Sequence, residues 1–93
     1  MAKLLSVAEI KEKASQLPGW SVEGNTLQIE KKFKNFVEAI AFINQLVEPA
    51  ERANHHPDIS ISYNKVIISL ITHDSGGLTE KDFALAQVIS NLG

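Results

Sequence analysis

Apolar residues recur along the chain at two alternating periods. Val7, Ile10, Ala14 and Leu17 lie three or four positions apart, which gathers them on one face of a helix. Ser6 and Glu9 form the S-x-x-E pattern, in which hydroxyl and carboxylate satisfy each other's free backbone N–H groups. The spacing predicts a first helix over 7–17, ended by Pro18-Gly19. The period then drops to two. Trp20 and Val22 alternate with polar residues, Gly24-Asn25 supplies a turn, and Leu27, Ile29 and Phe33 alternate again, which predicts a β-hairpin.

Helical spacing returns with Phe36, Ala39, Ile40, Ile43, Leu46 and Val47, behind an Asn35/Glu38 capping pattern. Ala41 and Phe42 widen this stripe, so the helix should be covered on more than one side, by the core and by another subunit. Pro49 has no N–H and crowds the carbonyl four residues earlier, which predicts a kink or restart at 48–50. Helix should resume towards Asn54 and leave His55 and His56 at its end. Pro57 turns the chain extended. "DISISY" and "VIISLITH" then read as a second hairpin about Asn64-Lys65, with Tyr63 facing Val66. Ile59, Ile61, Tyr63, Val66, Ile68 and Leu70 share the face expected to meet the helices, and Ser60, Ser62, Ile67, Ser69, Ile71 and His73 share the other. A last helix starts after Thr79, with Asp82 at its third position and Leu85, Val88, Ile89 and Leu92 as its buried stripe. The order αββαββα predicts an α+β fold, a four-stranded antiparallel sheet with three helices packed on one face, as one domain over 1–93.

Composition adds mainly exclusions. A chain of 93 residues with 44% hydrophobic residues can bury one core. The absence of cysteine rules out disulfides, thiolate metal sites and a thiol nucleophile, and leaves the cytoplasm as the expected compartment. A net charge of −2 gives no footprint for a polyanion, so direct nucleic-acid binding is not expected, and "EKKFK" at 30–34 reads as the solvated end of a strand. No apolar run nears the roughly 20 residues of a membrane span, and the amphipathic start is no secretion signal.

His55, His56 and His73 all fall at predicted element ends, and imidazole can take or give a proton near neutrality. A zinc site is the competing use of three imidazoles. Adjacent side chains diverge by about 100° on a helix, so His55 and His56 cannot easily share a metal, and the H-E-x-x-H spacing is absent. Glu51, one helical turn before His55, either orients that ring or is a solvated carboxylate. Asp82 in T-x-x-D either caps the last helix or serves a histidine. Gly76-Gly77 lacks the Lys-Ser/Thr of a phosphate loop and reads as a positive-φ exit from the strand.

The series Glu51, His55-His56-Pro57, Tyr63, His73 and Asp82, at these spacings, resembles the signature of the pterin-4a-carbinolamine dehydratase family. The element order, the long helix over 35–47 and "YNKV" at the hairpin extend the likeness over nearly the whole chain. The resemblance implies a lyase that dehydrates 4a-hydroxytetrahydropterin to quinonoid dihydropterin and water, in tetrahydrobiopterin-type recycling after an aromatic amino acid hydroxylase. It implies no cofactor and no metal. It further implies that His55, His56 and His73 are catalytic and, with Pro57, hold the pterin, while Glu51 orients His55 and Asp82 orients or polarises His73. A homodimer or homotetramer is expected. The resemblance also permits a non-catalytic role, since relatives serve as dimerisation partners of a transcription factor.

Overall fold

The Ser6 hydroxyl accepts from the Glu9 N–H at 3.1 Å and the Glu9 carboxylate accepts from the Ser6 N–H at 2.8 Å, so the first helix begins where the capping pattern places it. In the computed structural model, which describes residues 2–92, this helix (α1) runs Val7–Ala14. It is shorter than the spacing predicts. Gln16 and Leu17 donate to carbonyls only three residues back, at 3.1 Å each, because Pro18 disfavours helical geometry at Leu17. That tightened turn carries Leu17 into the core.

Strands β1 (Trp20–Glu23) and β2 (Thr26–Lys32) pair as the expected hairpin, with Gly24 at a φ of 61° in its turn. The Trp20 indole N–H donates to the Ser90 hydroxyl at 2.7 Å, which ties the edge strand to the last helix. Asn35 caps α2 (Phe36–Gln45) by accepting from the Glu38 N–H at 2.9 Å. The predicted interruption is present, but at Leu46 rather than at 48–50, and α3 follows over Val47–Ala53. Pro49 cannot donate to the Gln45 carbonyl and crowds it, so the break forms upstream. Pro49 itself then sits in the first turn of α3, where no donor is required.

Strands β3 (Asp58–Ser62) and β4 (Lys65–Leu70) complete an antiparallel sheet of order β1-β2-β4-β3. Their register differs from the predicted one. Ser62 faces Lys65 and Ile61 faces Val66, so Tyr63 and Asn64 form the turn, with Tyr63 at a φ of 53°. Asn64 is held there by Phe33, whose N–H donates to the Asn64 carbonyl at 2.8 Å while the Asn64 amide donates to the Phe33 carbonyl at 2.8 Å. A slip of two residues keeps the paired side chains of the two strands on their expected faces. Val66, Ile68 and Leu70 are fully buried, Ile61 is half-buried, and Ile59 and Tyr63 are exposed.

β4 also ends sooner than expected, at Leu70 instead of running to His73. Its neighbour β3 starts only after Pro57, which has no N–H to offer, and Thr72 bridges to Gly77 across a tight 3₁₀ turn of His73–Ser75. The left-handed residue in that loop is Gly76, at a φ of 76°. α4 (Glu80–Ser90) buries Asp82, Phe83, Leu85, Ala86 and Ile89, whereas Val88 of the expected stripe is exposed and Leu92 is half-buried. The stripe is rotated because Asp82 is itself drawn inside. The helices share one face of the sheet over a single apolar core, and the expected αββαββα order holds with the middle helix in two pieces. No helix among the described residues is long and apolar enough to cross a membrane.

Candidate active site

The antiparallel register of β3 and β4, with Asp58 opposite Ser69, makes the residues just before β3 and those just after β4 leave the sheet at the same end. His55, His56 and Pro57 therefore emerge beside Ile71, Thr72 and His73. The approach to β3 is set by Asn54, left-handed at a φ of 50°. Its N–H and that of His55 return to the Glu51 and Ala50 carbonyls at 3.1 and 3.0 Å, a Schellman ending of α3. Asn is one of the few residues that accept this conformation cheaply. Asn54→Val is expected to lose about 1–2 kcal/mol in a denaturant melt, and Asn54→Gly to lose little.

After that turn the two adjacent histidines go opposite ways. His55 is buried, with Nε2 at 2.6 Å from Oδ1 of Asp82. Asp82 is wholly buried at the N-terminal end of α4, where free N–H groups and the helix dipole favour a carboxylate. Its Oδ2 accepts from the Thr79 N–H at 2.9 Å and from the Thr72 hydroxyl at 2.8 Å. The Thr72 and Thr79 hydroxyls lie 2.7 Å apart. Every sealed side-chain polar atom among the described residues is satisfied. His56 instead stays exposed, with Nε2 at 2.5 Å from the exposed Glu51 carboxylate. With Pro57 this pair borders a cavity of about 290 Å³ walled by Ile43, Leu46, Val47, Ala50 and Ile59. A groove of about 320 Å³ between α1 and α4 is lined by Lys13, Gln16 and Glu80 but by no histidine, so size alone does not point to the site.

His73 is exposed at the start of the 3₁₀ turn, one residue beyond Thr72 and so next to the buried network, and it does not line the His56 cavity. Each carboxylate thus meets a different histidine from the one inferred from the sequence. Glu51 meets His56 rather than His55, and Asp82 meets His55 rather than His73. The left-handed Asn54 breaks the helical spacing that would have carried Glu51 to His55. The capping geometry holds Asp82 inside, away from the surface turn that bears His73. Two supporting residues, Thr72 and Thr79, escaped the sequence reading. T-x-x-D does signal a threonine hydroxyl beside Asp82, whereas nothing local to Thr72 shows that it turns inward. Among the described residues no group of three or more His, Asp or Glu side chains is arranged to hold a metal ion.

The model of the family described as pterin 4 alpha carbinolamine dehydratase matches residues 3–92. The chain belongs to this family. Two relatives are named after the same dehydratase. One, from Cyanothece sp., is 65% identical over 92 residues, covering 99% of this chain and 95% of its own. Another, from Trichormus variabilis, is 63% identical over 92 residues, covering 99% of both. A crystal structure described as a transcriptional coactivator/pterin dehydratase from Brucella melitensis superposes with a TM-score of 0.88 at 35% identity, over 94% of this chain and 95% of that one. A pterin dehydratase-like protein described as a RuBisCO assembly factor in the alpha-carboxysome shares the fold, with a TM-score of 0.61 at 22% identity over 76% of this chain and 82% of that one.

Proposed function

We propose that this protein dehydrates 4a-hydroxytetrahydropterin. In the reaction the bond from the tertiary ring carbon to its hydroxyl oxygen breaks, an acid protonates the departing oxygen, and the neighbouring ring nitrogen surrenders its proton to a base. A carbon–nitrogen double bond forms, giving quinonoid dihydropterin and water. One proton is given and one taken, so the protein ends with the proton count it started with. His55 and His73 are the acid and base groups in this reading. His56, with Pro57, holds the pterin ring or assists the transfer, and Glu51 steadies His56. The observation that carries the reading is the buried His55–Asp82 pair, because a carboxylate fixed against one ring nitrogen keeps an imidazole aimed and stabilises it when it gains a proton. The His56 cavity, at about 290 Å³, lies near the lower end of small-molecule sites.

The deciding experiment follows absorbance after the carbinolamine is generated freshly by a hydroxylase. Loss of the carbinolamine no faster with the protein than without it would end this reading. The reading places the protein in the cytoplasm as one domain, in recycling of a tetrahydrobiopterin-type cofactor behind an aromatic amino acid hydroxylase. It also takes the protein to be a homodimer or homotetramer joined through α2 and α3, where Phe36, Val37 and Val47 are 49%, 73% and 59% exposed. Light scattering is expected to give two or four copies, and a strict monomer contradicts it.

That same exposed apolar surface favours a second reading, a non-catalytic assembly module. The two part on one comparison. Equal complementation by wild type and by a protein lacking His55 and His73 favours assembly.

A further inference from the structure

Asp82 Oδ2 accepts from the Thr79 N–H and from Thr72 Oγ1, so the single hydroxyl proton of Thr72 is committed to Asp82. The contact of 2.7 Å between the Thr72 and Thr79 hydroxyls must then be made with the Thr79 proton, Thr79 donating and Thr72 accepting. Thr79 Oγ1 can donate in this direction because it is supplied in turn by the Lys81 N–H at 3.2 Å. The chain of donors therefore runs one way, from the Lys81 amide through Thr79 and Thr72 to Asp82, and every member is buried except the amide. With Oδ2 filled by donors, Oδ1 remains the acceptor facing His55 Nε2 at 2.6 Å. Nε2 must carry the proton. His55 Nδ1 has no hydrogen-bond partner among the described residues and is not sealed from solvent, so it is the nitrogen left free to act.

We propose that Thr72 and Thr79 are positioning residues, whose aligned hydroxyls hold Asp82 Oδ2 in place and so aim Oδ1 at His55 Nε2, which keeps the ring turned with its Nδ1 lone pair presented outward. The hydroxyls touch no substrate. They act through Asp82, which stays an acceptor without them, and their loss is felt as a weaker, less well aimed bond from His55 Nε2–H to Oδ1. Thr79 also caps α4, so Thr72 is the cleaner handle, since its hydroxyl serves only this network.

The test uses the full chain labelled with ¹⁵N at histidine. At a pH where the ring is neutral, the wild-type His55 signals are expected to show Nε2 bearing the proton and Nδ1 bearing the lone pair. Predominance of the opposite tautomer overturns the proposal, whatever any variant does. Thr72→Val keeps the shape and removes the hydroxyl. It is expected to leave the proton on Nε2 but to weaken its bond to Asp82, read as an upfield move of the Nε2–H proton resonance, and to lower kcat roughly tenfold, the effect of losing one hydrogen bond to a charged group, with KM changed by less than about twofold. Thr72→Ser restores both. A Thr72→Val protein with an unshifted Nε2–H resonance overturns the proposal as well. If that variant does not fold, the wild-type tautomer remains decisive. The kcat arm rests on the dehydratase reading, whereas the ring signals do not, so a protein inactive towards the carbinolamine but with the expected tautomer separates the two failures.

Discussion

A protein with alanine at both His55 and His73 is expected to retain its fold and to lose nearly all acceleration of carbinolamine loss. General acid or base groups commonly contribute about 10²–10⁴-fold each. Groups serving a single proton exchange are not additive, so the double variant is expected to fall little below the worse single one. The two sites differ in what else they disturb. His73 is exposed on a surface turn, so its removal leaves the core untouched and circular dichroism unchanged. His55 is buried, and its removal strands Asp82 Oδ1, a penalty of about 1–3 kcal/mol for an unmet buried acceptor. His55→Gln separates the effects, because its amide can still donate to Asp82 but cannot shuttle a proton at neutral pH. Stability is then expected to recover while turnover does not. Single variants that turn over the carbinolamine at the wild-type rate would remove these assignments.

The fold was legible because its signals are local. Period-two alternation, the Ser6/Glu9, Asn35/Glu38 and Thr79/Asp82 caps and the Gly24-Asn25 turn each act within a few residues, and each appears where its pattern lies. The departures trace to contacts between distant segments. The second hairpin turns one residue early because Asn64 is claimed by Phe33, 31 residues away. β4 stops at Leu70 because its neighbour cannot pair beyond Pro57. The site shows the same division. Histidines at element ends could be picked out one by one, but which carboxylate meets which imidazole depends on how α3 ends and on where the core draws Asp82. Asn54 decides the first by going left-handed, and nothing in the 3.6-residue period announces that.

Asp82→Asn is expected to separate the two roles that a buried T-x-x-D aspartate can hold. As a cap, Asn is a good replacement, since its carbonyl oxygen can accept from the Thr79 N–H and the Thr72 hydroxyl as Oδ2 does now. Those two donors leave no room for the amide NH₂ on their side, so it must face His55. There it donates to Nε2, which forces the lone pair onto Nε2 and the proton onto Nδ1, the reverse of the wild-type arrangement. The isosteric change should therefore leave a folded protein whose kcat is lower on the order of 10²–10⁴-fold. Asp82→Ala, by contrast, removes the acceptor shared by the Thr79 N–H, the Thr72 hydroxyl and the His55 ring. It is expected to cost about 3–5 kcal/mol in a chemical melt, as for other broken buried pairs, and so to confound activity with unfolding. The asparagine variant is therefore the one that discriminates: if it folds and keeps the wild-type kcat, Asp82 is a cap alone, and its buried pairing with His55 has no part in proton transfer.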